Sequence, residues 1–202
     1  MSKTRIKLGS INNLSDARWA AAGNIDFIGF CFDGSSPNFI PPVKAQEIIE
    51  WTSGIGVVAE FGPNNTEQEI LDITELLNAD MVEISSTTNP QIISKLQIPV
   101  LVNINISDLN ELDIEKKMAE FGNAKAYLFS ASNNNYDCNV LVNICQKHPV
   151  IWGLPTDKSS IKNILNSFNL YGVNLFAGNE EKTGIKDFDE LADMVDLISG
   201  HD

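Results

Sequence analysis

Two hydrophobic periods take turns along this chain from one end to the other. Short apolar runs of strand length stand at Arg5–Leu8, Asp26–Phe32, Ile55–Phe61, Met81–Ile84, Pro99–Ile106, Ala124–Ser130, Val150–Leu154 and Val173–Phe176. Between them lie segments with helical spacing: Leu14–Ala22, Val43–Trp51, Thr66–Leu77, Pro90–Leu96, Asp108–Phe121, Asn139–Lys147, Ser160–Phe168 and Phe188–Ser199. Stop and start signals fall at the joins. Gly23 and Asn24 can end the first helix, and the Pro41-Pro42 pair introduces the second. Thr66 and Glu69 have the spacing of a capping box, and Asn89 before Pro90 reads as an N-cap followed by proline at the first helical position.

Eight strand–helix units with short connections and no Pro/Gly/Ser-rich linker predict an α/β protein, a single (β/α)8 TIM barrel over residues 1–202. Parallel strands need helical crossovers, and a closed sheet leaves no edge. A doubly wound open sheet is the alternative, but no GxGxxG follows the first strand and eight units are many for it. A chain of 202 residues stands at the lower limit for the barrel, so no separate lid domain is expected. A site belongs at the C-terminal ends of the strands.

Composition narrows the function. Fourteen basic residues against 27 acidic ones give a formal net charge of −13, an acidic protein whose field repels nucleic acid. No apolar run approaches the roughly 20 residues a membrane span needs, and the opening MSKTRIKLGS has no apolar core of a secretory signal, so a cytoplasmic location is expected. Cys31, Cys138 and Cys145 are odd in number and lack CxxC spacing, which supports neither a disulfide framework nor a zinc site. No cofactor is called for. A small anionic ligand remains compatible with the acidic total, because backbone N–H groups can hold a phosphate.

The residues at the strand ends carry a resemblance. The segment Lys7-Leu8-Gly9-Ser10-Ile11-Asn12-Asn13-Leu14-Ser15-Asp16-Ala17 resembles the opening motif of the phosphoribosylanthranilate isomerase family, K-I-C-G-I-T-N-L-x-D-A. In the same order follow Ile28-Gly29-Phe30-Cys31-Phe32 with Ser36-Pro37-Asn38-Phe39-Ile40, then Ile55-Gly56-Val57-Val58, then Gly178 and Gly184-Ile185-Lys186-Asp187. The likeness runs over nearly the whole chain. It implies the barrel, and an Amadori rearrangement of phosphoribosylanthranilate in tryptophan biosynthesis. That reaction needs a general acid for the ribose ring oxygen and a general base for the C2 proton.

At both of those positions the sequence departs from the family. The base, the Cys of K-I-C-G, falls on Gly9, which has no side chain, and the acid, an Asp ending strand six, falls on Ser130. The strand-four His is missing from Val82-Glu83-Ile84-Ser85-Ser86, the Arg of S-P-R-Y-I is Asn38, and the Gly-rich loop after strand six has become Asn133-Asn134-Asn135-Tyr136-Asp137. Each lost acid or base typically removes roughly 10²–10⁴-fold of rate. The resemblance also implies a phosphate cradle at Gly153, Leu154, Ala177 and Gly178, although turn glycines left in a degenerate site would look the same. Trp152 stands where the family has glycine, and an indole there is expected to fill the cleft.

Lys7, Cys31 and Glu83 are candidate substitutes for the missing pair. Lys7 is either a Schiff-base nucleophile with a lowered pKa or, as such lysines more often are, a neutralised structural cation, with Glu83 as partner. Cys31 shares parity with Gly29 and offers a base from strand two, against the usual role of free cysteine as a small hydrophobe. Asp33 and Glu60 raise a divalent cation, but they lack a recognisable ligand spacing and no metal is assigned. His148, on the far side of the barrel, and His201, in the C-terminal tail, are set aside.

Three functions stand open on this reading. The first is a divergent barrel without the family isomerase activity, keeping a strand-end pocket for a small phosphorylated or polar ligand. The second is an active isomerase whose acid and base have moved. The third is a non-catalytic scaffold, its pocket plugged by Trp152 and Phe176. No nucleic acid or membrane partner is expected, and the chain is read as a monomer or homodimer.

Overall fold

The computed structural model of the protein describes residues 3–133, 135–176 and 188–200. Eight parallel strands close into a barrel in sequence order: β1 (Arg5–Gly9), β2 (Phe27–Cys31), β3 (Gly56–Glu60), β4 (Met81–Ser85), β5 (Val100–Asn105), β6 (Ala126–Ser130), β7 (Val150–Trp152) and β8 (Gly172–Phe176). Outside them pack α1 (Leu14–Ala22), α2 (Pro42–Ile49), α3 (Glu67–Leu77), α4 (Glu111–Glu120), α5 (Cys138–Lys147), α6 (Ile161–Ser167) and α7 (Asp189–Ser199). The expected (β/α)8 barrel is the fold.

One helix is not there. The segment expected as a helix at Pro90–Leu96 is a single 3-10 turn, Pro90–Ser94. Asn89 starts it as expected, its side chain accepting from the Gln91 N–H. Pro99 disfavours helical conformation at Ile98, so the chain is already extended where it approaches β5. Ile92 and Leu96 still reach the core, so the turn covers the barrel wall as a helix would.

The period-2 alternation of the strands sorts side chains into two cores. Ile6, Leu8, Ile28, Phe30, Val82, Ile84, Val102, Phe129 and Val173 point outward and pack beneath the helices. Val58, Met81, Leu101, Ala126, Leu128 and Ile151 point inward and form a smaller apolar plug inside the barrel, flanked by Phe27 and Tyr171. Burial on both faces explains why the strands read as near-continuous apolar runs. Above the plug, toward the C-terminal strand ends, the inward positions turn polar. There lie Lys7, Glu60, Glu83, Asn103, Ser130 and Asn174.

Candidate functional site

Strand register assembles the polar layer. Lys7 of β1 stands beside Asn174 of β8, and Glu60 of β3 stands beside Glu83 of β4. The Lys7 ammonium reaches across the barrel to all three. Its Nζ donates to Glu60 Oε1, donates to Asn174 Oδ1 at 2.9 Å, and lies 2.8 Å from Glu83 Oε2 in an ion pair outside hydrogen-bond alignment. Glu60 Oε2 accepts from the Ser10 N–H and from the Ser10 hydroxyl, each at 3.1 Å. Ser10 is held there with φ at 57°, a left-handed conformation that a non-glycine residue takes at some energetic cost. Asn103 donates to Glu83 Oε1 at 2.9 Å, and Ser130 donates to Asn103 Oδ1 at 2.6 Å.

Glycine makes room for this cluster at one position. A Cβ on Gly29 would overlap the Glu60 carboxylate. At Gly9, where the family base would stand, a Cβ would lie 3.0 Å from Asn174 Oδ1 and 3.1 Å from Glu60 Oε1. The Glu60 carboxylate therefore borders the space that a side chain at position 9 would enter.

Burial works against the Lys7 charge, but the Glu60 and Glu83 carboxylates outweigh it and raise the pKa above the ordinary lysine value. A Schiff-base nucleophile needs the opposite shift, so the geometry favours the structural-cation reading of Lys7, with Glu83 as one of its partners. Burial also raises Glu60, more than Lys7 and Ser10 lower it. Cys31 points into the same cavity, as its parity with Gly29 implied, yet burial pushes its thiol up against the hydrogen bond from Ser36. A raised thiol is a poor base at neutral pH.

These side chains line a cavity of about 190 Å³ with Asp33, Phe61, Gly62 and Phe176 around it. Asp33 does not join Glu60 at a cation. Its Oδ1 accepts from the Ser35 N–H and hydroxyl, while Glu60 is taken by Lys7 and Ser10. Among the described residues no group of three or more His, Cys, Asp or Glu side chains is placed to hold a metal ion. A second cavity, about 360 Å³, opens beside the first along Ser130, Gly153, Leu154, Thr156, Asn174 and Phe176. The Gly153 N–H there donates to the Phe129 carbonyl at 3.0 Å, and a Cβ on it would meet Leu128 and that carbonyl at 2.8 Å. Strand packing alone thus demands glycine at 153. Ala177, Gly178, the Gly184–Asp187 motif and His201 lie outside the described residues.

The expectation that Trp152 fills the cleft is overturned. On β7 the inward position is Ile151, so Trp152 faces the helices. Its ring lies 4.8 Å from that of Phe168 and its Nε1 donates to Thr156 at 2.8 Å. Phe176 stands at the cavity rim, half exposed, and does not close it. His148 ends α5 at the opposite end of the barrel, edge-on to Tyr127. The sequence reading missed Asn103 and Asn174. Their signal was a polar residue at an inward position of an otherwise apolar strand, in VNIN and GVNLF.

Fold and site together define a (β/α)8 barrel with a polar, charge-bearing pocket at its strand ends. The family model described as N-(5'phosphoribosyl)anthranilate (PRA) isomerase matches residues 6–197, and the chain belongs to that family. It is 27% identical over 196 residues to the N-(5'-phosphoribosyl)anthranilate isomerase of Leptospira interrogans, covering 93% of this chain and 91% of the relative. A monomeric form of the dimeric isomerase of Thermotoga maritima superposes with a TM-score of 0.83 at 20% identity, covering 98% and 99% of the two chains. A phosphoribosyl anthranilate isomerase in complex with reduced 1-(o-carboxyphenylamino)-1-deoxyribulose 5-phosphate gives the same TM-score at 21% identity and the same coverage. No helix among the described residues is long and apolar enough to cross a membrane.

Proposed function

We propose that this chain is a divergent member of its family that does not catalyse the Amadori rearrangement and keeps the strand-end cavity as a pocket for a small phosphorylated or polar ligand. One observation carries the reading. The two positions that supply the family's base and acid, Gly9 and Ser130, hold no group able to exchange a proton at neutral pH, while the nearest charged side chains bind each other. Loss of both groups costs roughly 10⁴–10⁸-fold if the two penalties multiply. The open cavity and the outward turn of Trp152 weigh against a plugged scaffold.

A second reading, an isomerase with relocated groups, has its own observation. Glu60 Oε1 lies 3.1 Å from where a Cβ of residue 9 would be, and burial raises the pKa of its carboxyl group. Turnover of freshly generated phosphoribosylanthranilate by the purified chain, followed by loss of anthranilate fluorescence, separates the two. A trace equal to the uncatalysed control is expected. Clear turnover that Glu60→Gln abolishes would establish the second reading instead.

A further inference from the structure

Asn174 and Ser130 each line both strand-end cavities, and neighbouring side chains have already fixed what each can offer there. An amide can turn either end to a neighbour, but an ammonium has donors only. Asn174 therefore presents Oδ1 to Lys7 Nζ at 2.9 Å, and its Nδ2 is turned away from Lys7. No described residue accepts from that nitrogen, although the side chain is only 6% exposed. Buried amide donors are nearly always paired, so two N–H groups left free at a cavity wall point to a partner that enters the cavity. Asn174 offers donors and nothing else.

Ser130 is its opposite. The Glu83 carboxylate, paired with Lys7, accepts from Asn103 Nδ2 at 2.9 Å, which turns Asn103 Oδ1 toward Ser130. The Ser130 hydroxyl gives its one proton to that oxygen at 2.6 Å, and no described residue donates to it in return. Its Oγ thus remains as an acceptor alone. Lys7 sets both senses, directly at Asn174 and through Glu83 and Asn103 at Ser130.

A group lodged against both side chains must accept from one and donate to the other. A hydroxyl does both. An ionised carboxylate or phosphate only accepts and would meet the Ser130 lone pairs, whereas an ammonium only donates and would leave the Asn174 N–H groups unmet. We infer that Asn174 and Ser130 together seat a hydroxyl group of a polyol or sugar, Asn174 donating to its oxygen and Ser130 Oγ accepting its proton. This rests on the reading of the strand-end cavity as a ligand pocket and names the chemistry it selects. Phe176, which also borders both cavities, gives the carbon chain an apolar wall.

Three six-carbon chains serve as probes in calorimetric titrations of the full chain: sorbitol, adipate and 1,6-diaminohexane, which carry hydroxyl, carboxylate and ammonium groups respectively. Sorbitol is expected to bind tightest. Asn174→Asp keeps the side-chain shape and the acceptor for Lys7 but removes both donors, and is expected to weaken sorbitol at least about tenfold, about 1.4 kcal/mol. Ser130→Ala is expected to weaken it several-fold. No hydrogen bond joins the two side chains, so their effects should add if each only shapes the cavity. One shared hydroxyl instead makes the double variant little worse than Asn174→Asp alone. Additive losses, or sorbitol binding that Asn174→Asp leaves unchanged, overturn the inference. Tightest binding by adipate or 1,6-diaminohexane overturns it while sparing the pocket. Binding by none of the three overturns inference and pocket together, and the fluorescence assay decides the isomerase question independently.

Discussion

Glu60 answers to three neighbours at once. It accepts from Lys7, holds Ser10 in a left-handed conformation, and occupies the space a side chain at Gly29 would fill. Its burial raises its pKa, so the folded chain keeps the Glu60 proton to higher pH than the unfolded chain does. The folded state then binds more protons across the window above the ordinary glutamate value of about 4.3, and stability must fall as pH climbs through it. Glu60→Gln removes that proton and keeps the shape. The stability of the parent chain minus that of Glu60→Gln, measured by denaturant melts, is therefore expected to fall as pH rises from about 4 to 8, with a slope no steeper than about 1.4 kcal/mol per pH unit. A difference that grows with pH would mean that Glu60 is ionised and that Lys7 wins over burial. The sequence offers Glu83 as a partner of Lys7 through its place on strand four, but not Glu60, because the choice between two carboxylates depends on how the strands are staggered around the barrel.

Helix starts show where local chemistry suffices. The Thr66 hydroxyl accepts from the Glu69 N–H at 3.3 Å and the Glu69 carboxylate accepts from the Thr66 N–H at 2.7 Å, the reciprocal pair that the spacing of these residues implies. Thr66→Ala leaves the first turn of α3 with an unpaired N–H and is expected to destabilise the chain by about 0.5–2 kcal/mol, read as a lowered denaturation midpoint with an unchanged slope. Thr66→Ser should recover most of the loss. Where context decides, the sequence signals fall short. Pro90 and Asn89 announce a helix, and the chain forms a 3-10 segment there instead, Pro90–Ser94. Trp152 is the plainer case: aligned by motif it enters the cleft, but parity on β7 sends Ile151 inward and Trp152 to Phe168. Alternation is a geometric rule and outranks motif position when the two disagree.

At the scale of the whole molecule, the eightfold alternation specifies the barrel because each strand–helix unit is a short-range pattern repeated, and closure follows from the count. The inner plug and the polar layer above it divide one barrel into a stabilising half and a chemical half. The net charge of −13 acts on both. Its ion pairs at the surface among the described residues, Lys3–Asp26, Lys95–Glu67, Lys147–Glu115 and Lys158–Asp193, are exposed or partly so and each contributes about 0–1 kcal/mol. With 27 acidic residues against 14 basic ones, repulsion exceeds these attractions. At about 10 mM salt the Debye length of about 30 Å spans a domain of this size, and at about 150 mM it is near 8 Å. Raising salt over that range at neutral pH is therefore expected to raise Tm by a few degrees, because screening relieves more repulsion than it costs in ion pairs. A Tm that falls would show that the surface pairs act as a network. Glu60→Gln is expected to give the same salt dependence as the parent chain, since a carboxyl group buried inside the barrel is screened far less than those outside it.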